Sequence, residues 1–256
     1  MIPIKTDEEI VKMRKACEVA AKILDGMANY AAAGVSTYDL DCFGRDLMME
    51  FGAKSASFLY TTGAKRPYPA YFCISINDEV VHGIPSKNVI LRNGDIVSID
   101  VAIFYNGYVG DTTRTVRIGN VSDEVDRFIT VAEEALLLGI ERAVGGNRVG
   151  DISNAIEKHA KKHKYGILRD FVGHGVGRNM HEEPQIPNYG RSGTGPVLMP
   201  GMTLAIEPMF TLGNEKVFVA DDGWTVKTID GKLAVHCEHT ILVTDTLPEI
   251  LTLVKK

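Results

Sequence analysis

The chain of 256 residues has only four cysteines, and Cys17, Cys42, Cys73 and Cys237 lie far apart with no C-x-x-C pair. That excludes a disulfide-built scaffold and points to free thiols in a reducing compartment. No apolar run approaches the roughly 18 residues needed to cross a bilayer. The N-terminus, MIPIKTDEEI, turns acidic where a secretory signal would become apolar. A basic excess is missing too. Net charge is −5 and Lys161-Lys162-His163-Lys164 is the only dense basic stretch, so no nucleic-acid surface is indicated. No linker or low-complexity segment divides the chain, and Trp224 is the only tryptophan. What is present is ordinary globular composition, 45% hydrophobic and 24% charged. A chain of this length can bury a sizeable core. The expectation is a cytoplasmic protein without membrane contact.

Thr6-Asp7-Glu8-Glu9 has the form of a capping box. Behind it Ile10, Met13, Cys17, Ala20, Leu24, Met27 and Ala31 recur at steps of three and four, one helix face expected to stop at Gly34. Ser36 caps a second helix with Leu40, Phe43, Leu47 and Phe51, ended by Gly52. A third follows Ser122, with Val125, Ile129, Ala132 and Leu136 inward, and ends near Gly145-Gly146. A fourth runs from about Asp151, with Ile152, Ile156 and His159 or Ala160 on one face. A shift of 112 positions lays Gly34, Asp39 and Leu40 on Gly146, Asp151 and Ile152, and Ala20 and Leu24 on Ala132 and Leu136. The chain therefore reads as one domain, 1–256, built from a duplicated helix–helix–strand unit with halves near 6–120 and 121–250.

Residues 96–104 are apolar and β-branched, and Asn106-Gly107 is a two-residue hairpin turn returning through 108–118. Residues 202–207 and 232–243 read as further strands, and the glycine-rich stretches 173–177 and 190–195 as loops. Acid lies inside these apolar strands. Asp100 interrupts VSIDVAIF, Glu207 interrupts TLAIEPMF, Glu238 precedes Thr240-Ile241-Leu242-Val243, and Asp111 lies on the return strand. A carboxylate buried alone is very costly, so each must be protonated, paired or bound to metal.

Hairpin geometry sharpens the point. With Asn106 and Gly107 as the loop, Asp111 faces Ala102 and Asp100 faces Thr113, and all four share one sheet face. The two aspartates become diagonal neighbours, Cα atoms about 7–8 Å apart. Candidate nitrogen donors are His82, His174 between glycines in Gly173-His174-Gly175, and His181. One imidazole and four carboxylates make an oxygen-rich set suited to Mn, Fe, Co or Zn, and bridging carboxylates suggest two ions about 3.5–4 Å apart that activate water for hydrolysis.

Asp100, Asp111 within Gly110-Asp111-Thr112-Thr113-Arg114-Thr115, Gly173-His174-Gly175-Val176-Gly177, Ile206-Glu207-Pro208 and Glu238-His239-Thr240 resemble the type I methionine aminopeptidases in order and spacing, from the first helix to Val243. The resemblance implies an α/β (α+β) pita-bread fold, two pseudo-symmetric halves around a mostly antiparallel sheet backed by helices. It implies Asp100, Asp111, His174, Glu207 and Glu238 as ligands of two divalent ions (Co, Mn, Fe or Zn), Asp111 and Glu238 bridging and Glu207 also moving the proton. His82 and His181 match the non-ligand histidines that contact substrate, and Tyr68, Cys73 and Trp224 match a methionine pocket. Met180 and Lys65 stand where aromatics are common, and Met180 is expected as an adaptable pocket wall. The form resembled is the short bacterial one. The implied partner is the N-terminal Met of nascent polypeptides and peptides, with the ribosome as a candidate contact, and the chain is expected to be a monomer. Two rivals follow from the same residues. One is a proline-directed peptidase of this fold, which usually carries a long N-terminal domain. The other is a non-catalytic binding module, which would be expected to have lost ligands.

Overall fold

The first helix starts where its cap chemistry says it should. Thr6 accepts from the Glu9 amide at 3.3 Å and its own amide donates to the Glu9 carboxylate at 3.0 Å, satisfying two of the donors a helix start leaves unpaired. In the computed structural model, which describes residues 2–61 and 66–254, four helices and fifteen short strands follow in order. They are α1 (Asp7–Tyr30), α2 (Thr37–Glu50), β1 (Lys54–Ser55), β2 (Cys73–Ile76), β3 (Glu79–Val81), β4 (Ile96–Tyr105) and β5 (Tyr108–Arg117). Then come α3 (Asp123–Ile140), α4 (Val149–Lys162), β6 (Gly166–Ile167), β7 (Gly173–Gly175), β8 (Glu182–Ile186), β9 (Thr203–Ile206) and β10 (Met209–Thr211). The last are β11 (Val217–Val219), β12 (Val226–Thr228), β13 (Ala234–His236), β14 (Glu238–Leu242) and β15 (Glu249–Ile250).

Nine strands form one sheet with the path β1-β4-β5-β14-β9-β7-β8, β2 also pairing with β4 and β15 with β14. Every pairing among them is antiparallel. The β4–β5 hairpin has the expected register without a bulge: Tyr105 pairs with Tyr108, Ala102 with Asp111 and Asp100 with Thr113. Alternation then sorts the faces. Val97, Ile99, Val101 and Ile103 bury against Ala20, Ile23, Leu24 and Met27 of α1 and Leu40 of α2, each fully buried aliphatic side chain giving about 1.5–3 kcal/mol. Asp100 and Ala102 point the other way. In the second half, α3 and α4 bury Ile129, Ala132, Leu136, Ile152 and Ile156 with Leu204, Ile206 and Ile241.

Five expectations are corrected. Residues 173–175 are a strand rather than a loop, because β9 and β8 run so close that only glycine fits: a side chain at Gly173 would strike the Ala205 carbonyl, and one at Gly175 the backbone of Glu183. Residues 232–243 are not one strand. The chain breaks at Cys237, with β13 joining a small sheet beside β10 while β14 stays in the large one. The strand at 202–207 likewise ends at Ile206, because Pro208 has no amide to continue a ladder. The first helix ends at Tyr30, where Ala31 turns extended, and the third at Ile140, both ahead of the glycines expected to stop them.

Candidate metal centre and cleft

Three backbone devices bring the acids together. The hairpin sets Asp100 and Asp111 diagonally. The two strand breaks supply the rest, Glu207 directly after β9 and Glu238 as the first residue of β14, opposite Thr113. His174 enters from β7, opposite Ala205. One oxygen each from Asp100, Asp111 and Glu238 lies within 4.8 Å of the other two. His174 Nε2 is 3.4 Å from Glu207 Oε1 and 3.9 Å from Asp111 Oδ2. Asp100, Asp111 and Glu238 thus form one cluster, and His174 links Glu207 to it.

Their electrostatics are those of acids packed together out of water. Burial, opposed in part by His236, pushes the Asp100 carboxyl up to about 6. Burial and then the neighbouring acids raise Asp111 and Glu238 well above the usual carboxylate range, and burial alone does so for Glu207. His174 is pushed down to about 3, mainly by burial and then by His181, so its contact with Glu207 is not an ion pair. Thr113 donates to Glu238 Oε2 at 2.9 Å, yet Glu238 Oε1 is buried with no hydrogen-bond partner. A buried orphan acceptor beside three further carboxylates and an imidazole is the donor set a divalent ion satisfies. The residues present fit such an ion.

Beside the cluster opens a cleft of about 170 Å³. Tyr68, Cys73, Met180 and Trp224 line it together with His82 and His181. Tyr68 is held from below, its hydroxyl donating to the Gly83 carbonyl at 2.8 Å and the Phe72 carbonyl at 3.1 Å. Trp224 meets Tyr68 edge-on at 5.3 Å and His82 at 6.0 Å, and its Nε1 donates to the Arg66 carbonyl at 2.9 Å. Lys65 lies outside the described residues. His82 has a left-handed backbone, φ 59°, uncommon for a residue other than glycine. Its imidazole is pushed down to about 4 by burial, then by His236 and His181, and stays neutral near pH 7.

Three cleft residues escape sequence reasoning. His236 Nε2 lies 3.3 Å from Glu207 Oε2 without a hydrogen bond, and burial holds this ring down to about 4. The signal available was its spacing, two residues before Glu238. The Tyr60 hydroxyl shares a 2.6 Å hydrogen bond with His181 Nδ1. Phe171 stands edge-on to His82 at 5.6 Å. Neither carries a signal beyond proximity in the fold.

Four carboxylates and an imidazole gathered at a curled antiparallel sheet, beside a cleft, are a donor set that a divalent metal ion fits. The chain belongs to metallopeptidase family M24, whose model matches residues 11–245. It is 47% identical over 253 residues to a methionine aminopeptidase of Clostridium acetobutylicum, covering 99% of both chains. The crystal structure of methionine aminopeptidase from Rickettsia prowazekii superposes with a TM-score of 0.94 at 41% identity, over 99% of this chain and 100% of that one. A prolidase from Pyrococcus furiosus is more distant, at TM-score 0.75 and 27% identity, and the match covers only 66% of it. The fold is accordingly the pita-bread fold, and the protein is a divalent-metal peptidase.

Proposed function

We propose that the protein removes the N-terminal methionine from polypeptides and peptides, favouring a small second residue, with two divalent ions held by Asp100, Asp111, His174, Glu207 and Glu238. The observation that carries this reading is the adjacency of an apolar pocket to the acid cluster within one cleft. A pocket of Tyr68, Cys73, Trp224 and the pliable Met180 suits an unbranched thioether. Full-length similarity to methionine aminopeptidases supports the same substrate.

Ions held by Asp100, Asp111, His174, Glu207 and Glu238 would supply Lewis acidity and a lowered pKa for water, with Co, Mn, Fe or Zn all compatible. The protein's own groups do the rest. Glu207, whose proton affinity burial raises, takes a proton from the attacking water and delivers it to the leaving amine. His82 and His181 do not coordinate in this reading. They donate hydrogen bonds to substrate and to the oxyanion as it develops. The acids around the pocket mouth hold the free α-amine, which restricts cleavage to the first residue. We also read the chain as one catalytic unit of two related halves, 6–120 and 121–250. In support, the turns after α1 and α3 place Gly34 and Gly146 at φ 95° and 89°. A cytoplasmic setting fits the four free thiols.

The test is kcat/KM on Met-Ala, Met-Gly, Met-Leu, Ala-Ala and Xaa-Pro peptides with metal-loaded protein. Met-Ala and Met-Gly should be cleaved fastest, norleucine in place of Met tolerated, and N-terminal Ala rejected, since each methylene-sized loss in the pocket costs about 1–3 kcal/mol. Preference for Xaa-Pro would transfer the assignment to the proline-directed class, and no cleavage by metal-loaded protein would leave a binding module.

A further inference from the structure

On the helical side of the second half, away from the cleft, a different donor cluster is assembled. His159 on the last turn of α4 and His163, its C-cap residue, are four positions apart and so share one helix face. Their rings stand 4.9 Å apart. Glu134, from the middle of α3, reaches across so that its Oε2 lies 2.9 Å from His159 Nε2. One ligand atom from each of the three lies within 4.8 Å of the other two, and none of them lines the cleft.

What completes the picture is the cation already there. The Arg127 guanidinium contacts Glu134 Oε1 at 2.9 Å and Oε2 at 3.3 Å, and lies 3.5 Å from His163 Nε2. A single positive group thus spans the carboxylate and the second imidazole, where an ion would sit. It is tethered by a long side chain 47% exposed to solvent, so withdrawing it into water is cheap, as for exposed ion pairs in general. The last carbonyls of α4 carry the negative end of its dipole, which offsets in part the charges of Lys161 and Lys162 on the same turn.

We propose that Glu134, His159 and His163 form a second, non-catalytic site for a borderline divalent ion of the Zn²⁺, Ni²⁺ or Cu²⁺ type, which displaces Arg127 and ties α3 to α4. Two imidazoles and one carboxylate suit these ions and not Mg²⁺ or Ca²⁺, which take oxygen donors almost exclusively. Three protein donors leave the remaining position to water. The ion and the guanidinium are alternatives, so Arg127 sets the affinity by competition.

The test counts metal rather than turnover. Parent protein and the His159→Gln/His163→Gln variant are dialysed to equilibrium against Zn²⁺ and their bound equivalents measured. The parent should hold one equivalent more, while cleft activity with saturating metal is the same in both. Equal equivalents in the two proteins overturn the proposal. Arg127→Gln is the second arm, and removing the competitor should tighten the extra site several-fold in a Zn²⁺ titration. An affinity that is unchanged or weaker rejects displacement of Arg127 and with it the site as described. Neither arm depends on the peptide specificity proposed above.

Discussion

His82 combines two demands that pull apart. Its imidazole is wanted in the cleft, while its left-handed φ of 59° is a conformation that costs a residue with a Cβ about 1–2 kcal/mol. His82→Ala and His82→Gly should therefore separate function from strain. Both should lower kcat by about 10²–10³-fold with metal content intact, the usual effect of losing one oxyanion donor. The glycine variant should nevertheless be the more stable of the two by about 1–2 kcal/mol in denaturant unfolding. Equal stability would mean the loop, not the residue, dictates this backbone. A second residue-scale case is Asp41, 5% exposed on α2, which accepts the amides of Tyr71 and Phe72 at 3.1 and 2.9 Å, just before Cys73 of the pocket. Burial pushes its carboxyl from 3.8 up to about 6. The folded state therefore holds this proton more tightly than the unfolded chain, and stability from this source is lost as pH rises through that window. Asp41→Asn keeps both acceptances without the charge, so it should remove that part of the pH 4–6 slope in melting experiments. Asp41→Ala should orphan two amides and destabilise by about 1–3 kcal/mol for each.

At the scale of elements, the readable parts were those with local rules. Asn106-Gly107 and strict alternation specify the hairpin, and from it the meeting of Asp100 with Asp111 follows without further information. The capped helices are legible for the same reason, though not their last residues. The break at Cys237 was not legible, because no proline or glycine between Lys232 and Val243 marks where the chain changes sheet. His236 went unnoticed with it, since only the break turns it toward Glu207. The cleft wall was out of reach of pattern reasoning altogether. Tyr68, Met180 and Trp224 come from three distant segments and were visible only through family resemblance. Strand β7 shows how a composition rule can mislead, because glycine there signals tight strand packing and not a turn. Gly175→Ala makes this measurable. Its added carbon would meet the backbone of Glu183, which cannot step aside as a side chain can. A loss of about 1–3 kcal/mol in stability is expected, with weakened metal retention through the displaced His174. A neutral substitution would show that β8 can move.

For the whole molecule, the acid cluster should make stability depend on pH and on a bound divalent ion. Asp100, Asp111, Glu207 and Glu238 all have raised pKa values. By linkage, the stability they allow is complete below about pH 4 and declines as pH rises through 6 and above. Chelated protein should therefore lose melting temperature between pH 5 and 8, while metal-loaded protein should gain over the same range as ligand protons are displaced. Asp111→Ala should bind less metal and shrink the gap between the two curves. Parallel curves for chelated and loaded protein would contradict the donor assignment.

The order of the donors along the chain has a further consequence, for synthesis. Asp100 and Asp111 lie on one hairpin near the middle of the sequence, His174 and Glu207 follow far behind, and Glu238 opens one of the last strands. The hairpin can pair as soon as it is made, yet its two aspartates then wait for partners not yet translated. No growing chain shorter than 238 residues holds the complete set. Under the proposed donor assignment, a fragment that stops before Glu238 lacks one of the five donors and should have no activity.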